Sequence, residues 1–287
     1  MTTVAVACST ASIDLDESWP FLRDALTQQG FVPRVVIWDG ADIGWGAFDL
    51  VVALYVWGYV TQHQAFLSWV DRVGAQTRLV NGPSLLRWSS EKTYLADLGR
   101  AGVATVPTTW VFPGQRWAAP SGDYVVKPSV ASGGLGAARF VDTPPAVAQA
   151  HVRRLHEQGQ TVMVQPYQAT VELKGETALY YFGGAYSHAV RKGALLEPDV
   201  GAKDELWKGE VITRAEPSPQ QRAASENALK VVGELFGVPS YARVDLIEGA
   251  GGDHLVSELE LVEPALFFNL EPQGAGRLAA TLHRLVS

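Results

Sequence analysis

Near the C-terminal end of the chain, Tyr241 to Ile247 (YARVDLI) and His254 to Leu261 (HLVSELEL) alternate polar and apolar residues. The Gly-rich stretch 248–253 between them reads as a hairpin connection. Such a hairpin commits its surroundings to an antiparallel sheet, and a side-chain period of two commits its charges to one face. Arg243 and Asp245 share that face on one strand, Glu258 and Glu260 on the other. Three carboxylates crowded on paired strands repel one another unless water, a cation or a base neutralises them. Magnesium suits the set, because it takes hard oxygen ligands and commonly binds through one or two carboxylates together with substrate phosphates. A solvated face on an exposed hairpin is the competing reading.

Far upstream, Tyr124-Val125-Val126-Lys127-Pro128 reads as a strand that delivers a lysine, followed by the small-residue loop Ser129 to Gly136 (SVASGGLG). Lys127 offers a compact positive charge to phosphate oxygens. Beyond Ser132, the residues Gly133, Gly134 and Gly136 let backbone N–H groups approach a polyphosphate without side-chain collision. The loop matches neither the P-loop pattern nor G-x-G-x-x-G. Alone, it reads equally as a turn that reverses the chain.

The N-terminal part alternates strands with helices: Thr3 to Cys8, Val32 to Ile37 and Leu50 to Tyr55 as strands, and Trp19 to Gln29 as a helix closed by Gly30. That order predicts a parallel sheet with right-handed crossovers, with ligands beyond the carboxyl ends of its strands. Ser9, Thr10, Asp39 and Trp57-Gly58-Tyr59 fall there, so Trp57 and Tyr59 are candidates to flank a substrate, with core packing as the alternative. Ser90 to Ala101 reads as a linker helix that carries Lys92 and is capped by Ser89 or Ser90. Asp123 to Pro166 reads as a small strand-and-helix unit, with a helix from Pro145 to Gln158 and a strand from Thr161 to Gln165. From Tyr167 onward a second antiparallel sheet is expected, built from Glu176 to Phe182, Tyr186 to Arg191 and the two carboxylate strands, with a helix from Pro219 to Phe236. The resulting units are 1–88, 89–166 and 167–287. The loop Gly193 to Thr213 is long enough for a lid.

Composition narrows the partners. At 287 residues and 47% hydrophobic, the chain is long enough for a large core in two or three packed units. A net charge of −7 argues against nucleic acid, whose phosphates need basic patches. No 18-residue apolar run occurs and the sequence opens directly into a strand, so neither a membrane span nor a signal peptide is expected. Cys8 is the only cysteine, which excludes an internal disulfide and fits a reducing cytoplasm. It is expected as a small core residue. Assembly stays open between a monomer and a homodimer. The histidines form no H-E-x-x-H pair, His188 reads as structural, and no G-x-S-x-G elbow supports a serine hydrolase.

These segments, in this order, resemble the ATP-grasp ligases. In that family a first lysine precedes a small ATP-binding subdomain and a second lies on a strand before a Gly-rich flap. A short hinge then holds adenine, and an Arg-x-Asp strand pairs with a Glu-x-Asn strand that binds magnesium. The matching positions here are Lys92, Lys127, the hinge Gln165-Pro166-Tyr167-Gln168, Arg243 with Asp245, and Glu258 with Glu260. Glu260 departs from the commoner Asn and adds a negative charge. The resemblance implies a parallel α/β domain followed by two α+β subdomains that clasp ATP between them, with ATP and Mg²⁺ at the site. Several segments look closest to the cycloserine-forming cyclo-ligases that act on O-ureido-serine. They are Arg87-Trp88 with Lys92 to Leu95, Val106-Pro107-Thr108, Gly175 to Leu179, Ser187 to Lys192 and Glu258 to Pro264. One segment departs: relatives carry an arginine and a Trp-Asp-Tyr near the end of the third strand, where this chain has Leu54 and Trp57-Gly58-Tyr59.

By that resemblance, Lys92 and Lys127 serve the α- and β-phosphates, with Lys192 or alternatively Arg191 also reaching them. Asp245, Glu258 and Glu260 hold one or two Mg²⁺ ions. Glu176 holds the ribose, with Glu172 as its competitor. Arg243 stabilises an acyl phosphate and the tetrahedral oxyanion, with a salt bridge to Asp245 or Glu258 as its alternative role. Glu263 is a candidate for the amino group of an amino-acid substrate, or else an exposed strand-end glutamate. The expected activity is a ligase that activates a small amino-acid-derived carboxylate for attack by an amine-type nitrogen, by ring closure of O-ureido-D-serine or between two molecules. The reading from another class is an ATP-binding module without turnover.

Overall fold

The computed structural model describes residues 1–10, 12, 16–40, 43–196 and 211–287. Its first layer is a parallel sheet of β1 (Thr2–Cys8), β2 (Phe31–Ile37) and β3 (Leu50–Tyr55) in the order β2-β1-β3. Every residue of β3 is buried, as a strand covered on both faces must be. Between β1 and β2, α1 (Trp19–Gln28) buries Leu22, Ala25 and Leu26, while α2 (His63–Gln76) buries Phe66, Trp69, Val70 and Val73. Cys8 sits in this core, where burial pushes its thiol up to about 11 and Asp39 adds to the shift. A short 3-10 helix, Trp57–Thr61, leaves the carboxyl end of β3.

The expected linker helix is two pieces, α3 (Gly82–Ser89) and α4 (Tyr94–Arg100), with Thr93 at the cap position of the second. Lys92 therefore lies in a turn. The break has a tertiary cause: the Lys92 N–H donates to Ser129 O at 2.8 Å, so it is withdrawn from the helical ladder.

A second sheet contains β4 (Thr109–Val111), β5 (Tyr124–Pro128), β6 (Ala138–Phe140) and β7 (Val162–Pro166), ordered β4-β7-β5-β6 and antiparallel throughout. One side is closed by α5 (Pro145–Glu157), with Ala148, Val152 and Leu155 in a core with Val126 and Val164. The short β4 carries too little pattern to be read from sequence. A single-turn helix α6 (Val171–Lys174) then leads into the third sheet.

That sheet is antiparallel in the order β10-β9-β8-β11-β12, from β8 (Glu176–Phe182), β9 (Ala185–Lys192), β10 (Ile212–Ala215), β11 (Tyr241–Glu248) and β12 (His254–Glu260). On one face α7 (Pro219–Phe236), started by a Ser218–Gln221 capping box, packs Ala228, Val231 and Val232 against Val244, Leu246 and Leu259. The opposite face puts Ala178, Tyr180, Val190 and Tyr241 into one core with Val4, Val6, Leu22 and Leu54 of the first layer. α8 (Gln273–His283) closes this core against α1. Because Arg243 and Asp245 alternate with Ala242 and Val244, the strand period points their side chains to the same face as Tyr241, toward the first layer. Among the described residues no helix is long and apolar enough to cross a membrane.

Candidate active site

Register builds the charged cluster. Arg243 pairs across the ladder with Glu260 and Asp245 with Glu258, so all four side chains meet on one face. Arg243 holds Asp245 through two bonds of 2.8 Å and Glu260 through one of 2.6 Å. Neighbouring β8 and β9 place Glu176 opposite Lys192, whose ammonium lies 2.6 Å from Glu176 and 2.5 Å from Asp245. Ser257 Oγ bonds Glu176 and also donates to Asp245 O at 3.0 Å. From the turn after α3, Lys92 Nζ reaches Glu258 at 2.6 Å and Ala131 O at 2.6 Å. Asp245 is wholly buried, and its two cationic partners keep that tolerable.

The carboxylates are not equivalent. Burial pushes Glu258 up, but Lys92, Lys192, Lys127 and Arg243 prevail and hold it at about 2. Burial raises Glu260 well above the usual carboxylate range, and the negative Glu258, Asp245 and Glu263 reinforce this against Arg243, despite the 2.6 Å bond. For Glu263, burial raises the pKa to about 7 against the pull of Lys92. Lys92 is penalised by burial, yet Glu258 carries its pKa upward. Lys127 differs: burial lowers its pKa, and it makes no salt bridge or side-chain hydrogen bond among the described residues.

Oxygen atoms of Asp245, Glu258 and Glu260 all lie within 4.8 Å of one another. That is a hard, three-oxygen donor set, which fits magnesium.

The cluster forms one wall of a cleft of about 270 Å³ between the second and third sheets. Opposite it lie Lys127 and the loop residues Ser132, Gly133 and Gly134, with the hinge Gln165-Pro166-Tyr167 at one end. Gly133 and Gly134 have φ of +58° and +76°, a backbone that the loop's glycines supply without strain. Gln165 is fixed by its Nε2 donating to Thr108 Oγ1 at 2.8 Å. The other end is walled by Trp57, Glu263, Ala265 and Phe267, and Glu263 is buried, not exposed.

Asp245, wholly buried, does not line the cleft itself but lies behind Arg243 and Lys192, and three further candidates are not brought into it. Arg191 is exposed and points away from Lys192, since adjacent strand residues face opposite sides. Glu172 is turned outward by α6 and pairs with Arg139 at 2.6 Å and the Tyr167 hydroxyl at 2.7 Å, so it braces the hinge from outside. Tyr59 is a packing residue, its ring 4.5 Å from Phe66 and its hydroxyl donating to Ser90 O. Arg243 does make a salt bridge to Asp245, but its second partner is Glu260 in place of Glu258. Of the expected lid, 197–210 lies outside the described residues, while Leu195 and Leu196 line the cleft.

Sequence reading missed Ser257, Ala265 and Phe267. Ser257 carried a signal, as the residue beside Glu258 on a recognised strand. Ala265 and Phe267 carried none, because regular alternation stops at Pro264.

Comparison with known proteins gives a consistent picture. The family model described as the N-terminal domain of D-cycloserine synthetase DcsG matches residues 4–81. Over 290 residues the chain is 33% identical to the cycloserine biosynthesis protein DcsG of Streptomyces lavendulae, with 97% of each covered. The crystal structure of D-cycloserine synthetase DcsG superposes with a TM-score of 0.92 at 32% identity, covering 99% of this chain and 100% of that one. Two remoter structures share the fold. D-alanine–D-alanine ligase from Bacillus anthracis, complexed with ATP, gives a TM-score of 0.64 at 12% identity with both chains covered in full. The ATP-grasp ligase PsnB, complexed with a phosphomimetic variant of its minimal precursor, Mg and ADP, gives 0.61 at 19%, covering 100% of this chain and 99% of that one.

Proposed function

The chain belongs to the DcsG family of ATP-grasp ligases, and on that premise we propose that its cleft binds Mg-ATP and activates the carboxylate of an amino-acid derivative for ring closure, converting O-ureido-D-serine to D-cycloserine. The observation that carries the reading is the charge arrangement in the cleft. Lys92, Lys192 and Arg243 are each bonded to a carboxylate of the third sheet, while Lys127 faces them with no ion pair among the described residues. A nucleotide with its counter-ion would exchange these internal pairs for phosphate–cation and carboxylate–metal pairs of the same sign, so little new charge is buried.

In this reading Gln165, Pro166 and Tyr167 hold the adenine and Glu176 the ribose. Lys92, Lys127 and the backbone at Ser132, Gly133 and Gly134 hold the α- and β-phosphates, and Lys192 holds the γ-phosphate. Asp245, Glu258 and Glu260 hold Mg²⁺, which when bound neutralises phosphate charge and polarises the transferring phosphoryl group. Transfer of that group to the substrate carboxylate depends mainly on position and charge neutralisation. Arg243, fixed by Asp245 and Glu260, presents its guanidinium to the acyl phosphate and to the oxyanion formed when the amine-type nitrogen of the same molecule attacks. Phosphate departs as the ring closes, and water then cleaves the carbamoyl group from the ring nitrogen, releasing it as carbon dioxide and ammonia to leave D-cycloserine. Glu263 receives the substrate ammonium, and Trp57 and Phe267 wall the acid end.

A second reading, intermolecular carboxylate–amine ligation, is favoured by one observation. Leu54 is wholly buried, and a Cβ at Gly58 would lie 2.9 Å from Ser9 Oγ, so neither position offers the polar groups of the cyclo-ligase relatives. Phosphate release from Mg-ATP, measured against a panel of D- and L-amino acids that includes O-ureido-D-serine, separates the readings. Release with O-ureido-D-serine and a cyclised product by mass spectrometry supports ring closure, and release only when a second amine is added moves the activity to intermolecular ligation. Nucleotide binding with no release under any condition leaves a module without turnover.

A further inference from the structure

Lys92 enters the cleft from a turn, and that turn is clamped from two sides. Ser90 Oγ donates to Arg87 O at 2.9 Å and lies 2.9 Å from His63 Nε2. The hydroxyl has one proton, already used on Arg87, so Nε2 must carry its own proton and donate. Burial lowers the pKa of His63 against the pull of Glu91, which favours the neutral ring. The Ser90 carbonyl accepts from the Tyr59 hydroxyl at 3.3 Å. On the far side, Glu91 accepts from Ser129 Oγ at 2.9 Å and Lys92 N donates to Ser129 O at 2.8 Å. Ser129 opens the glycine loop, so that clamp belongs to the phosphate side of the cleft. Tyr59 and His63 belong to the first layer and line no part of the cleft.

The first-layer clamp starts from the element that walls the acid end. Trp57 begins the short 3-10 helix, Tyr59 lies within it and His63 opens α2 just after it. We propose that His63, assisted by Tyr59, is a positioning residue for Lys92, tying the ammonium that serves the nucleotide to the helix that presents Trp57 to the acid. The inference rests on the reading of Lys92 as a phosphate ligand. Its physical basis is the freedom of lysine: four rotatable bonds let Nζ settle on Glu258 alone unless the turn fixes where the side chain starts.

The test is the affinity for magnesium AMPPNP, measured by calorimetry on the whole chain for the wild type, His63→Leu, His63→Gln and Lys92→Met. Loss of the clamp in His63→Leu is expected to weaken binding about three- to tenfold. His63→Gln keeps an N–H in reach of Ser90 Oγ and is expected to bind within about twofold of wild type, since the same donor is restored. Melting temperatures should stay together, because a half-buried helix-end residue carries little of the core. Wild-type affinity in His63→Leu with impaired Lys92→Met would overturn the positioning role and leave the phosphate reading standing. Wild-type affinity in Lys92→Met would overturn the phosphate reading itself. Equal impairment of the Gln and Leu variants would reduce His63 to packing. Should His63→Leu fail to fold, Ser90→Ala removes only the hydroxyl, and its binding loss or wild-type affinity decides the same question.

Discussion

The two ends of the cleft are built on different principles. At the phosphate end, charged side chains on regular strands hold one another: Arg243, Asp245, Glu260, Lys192 and Glu176 form a continuous chain of contacts of 2.5–2.8 Å. At the acid end, residues 261–268 form an irregular strap whose backbone is held by side chains from elsewhere. Asn81 donates to Leu261 O, Tyr241 to Val262 O, Trp57 to Glu263 O, Tyr180 to Ala265 O, and His188 Nε2 bonds Leu266 O, while Phe268 N donates to Ser18 Oγ. Phe267, with φ +48°, bends the strap so that its side chain meets the cleft, a conformation that survives only because the neighbours over-determine it. One end is a network of charges that a ligand can rearrange. The other is a preorganised wall that fixes shape.

The strongest way to break this contrast is Asp245→Asn. The side chain is wholly buried between Lys192 and Arg243, so the amide leaves two buried cations short of a shared counter-charge. Phosphate release in the presence of acid is expected to fall by about two to three orders of magnitude, as for loss of a transition-state electrostatic group. Affinity for AMPPNP should fall much less, because the glycine loop, the hinge, Lys92 and Lys127 remain. Near-normal turnover in that variant would sink the metal assignment and leave the cluster a structural network.

The same contrast explains what sequence could and could not reveal. Arg243, Asp245, Glu258 and Glu260 were legible because a strand's period of two converts spacing directly into a shared face. Lys127 was legible because a strand and a glycine loop advertise it. Lys92 was found in the right neighbourhood but on the wrong element, since the bond that breaks its helix comes from Ser129, far along the chain. Arg191 and Glu172 were misplaced by alternatives that only register and the direction of α6 could resolve. The strap was illegible for a stronger reason. Its conformation is dictated by Asn81, Tyr180, His188 and Ser18, none of them near it in sequence, and no local periodicity records such bonds.

His188 sharpens the description of the strap as fixed wall. It is buried, stacks on Tyr180 with ring centroids 4.3 Å apart, and bonds both Leu266 O and Ser187 Oγ. Burial lowers its pKa from 6.5 to about 4, against the opposing bond to Leu266. Between these values the unfolded chain binds a proton that the folded protein does not, so stability falls as pH drops from 6.5 toward 4. The loss contributed by this one group is up to about 3 kcal/mol at the acid limit. Denaturant unfolding at pH 7 and pH 5 should show a smaller pH dependence for His188→Gln than for the wild type. An unchanged dependence would mean that the imidazole is not held neutral and the strap yields to it.

The smallest effect tests the phosphate end where it departs from its own pattern. Lys92, Lys192 and Arg243 are paired, whereas Lys127 is half-buried, with a pKa lowered by desolvation and no ion pair among the described residues. Its charge is therefore a cost to the empty protein that a bound polyphosphate offsets. Lys127→Met is expected to weaken AMPPNP binding about tenfold, the effect of losing one phosphate contact of about 1.4 kcal/mol. It should leave the melting temperature of the nucleotide-free protein unchanged or raise it. Lys192→Met, which strips Asp245 and Glu176 of a partner, should lower both affinity and melting temperature. If the two variants lose equal thermal stability, Lys127 is as much a structural counter-ion as Lys192, and the phosphate end holds no cation in reserve for the nucleotide.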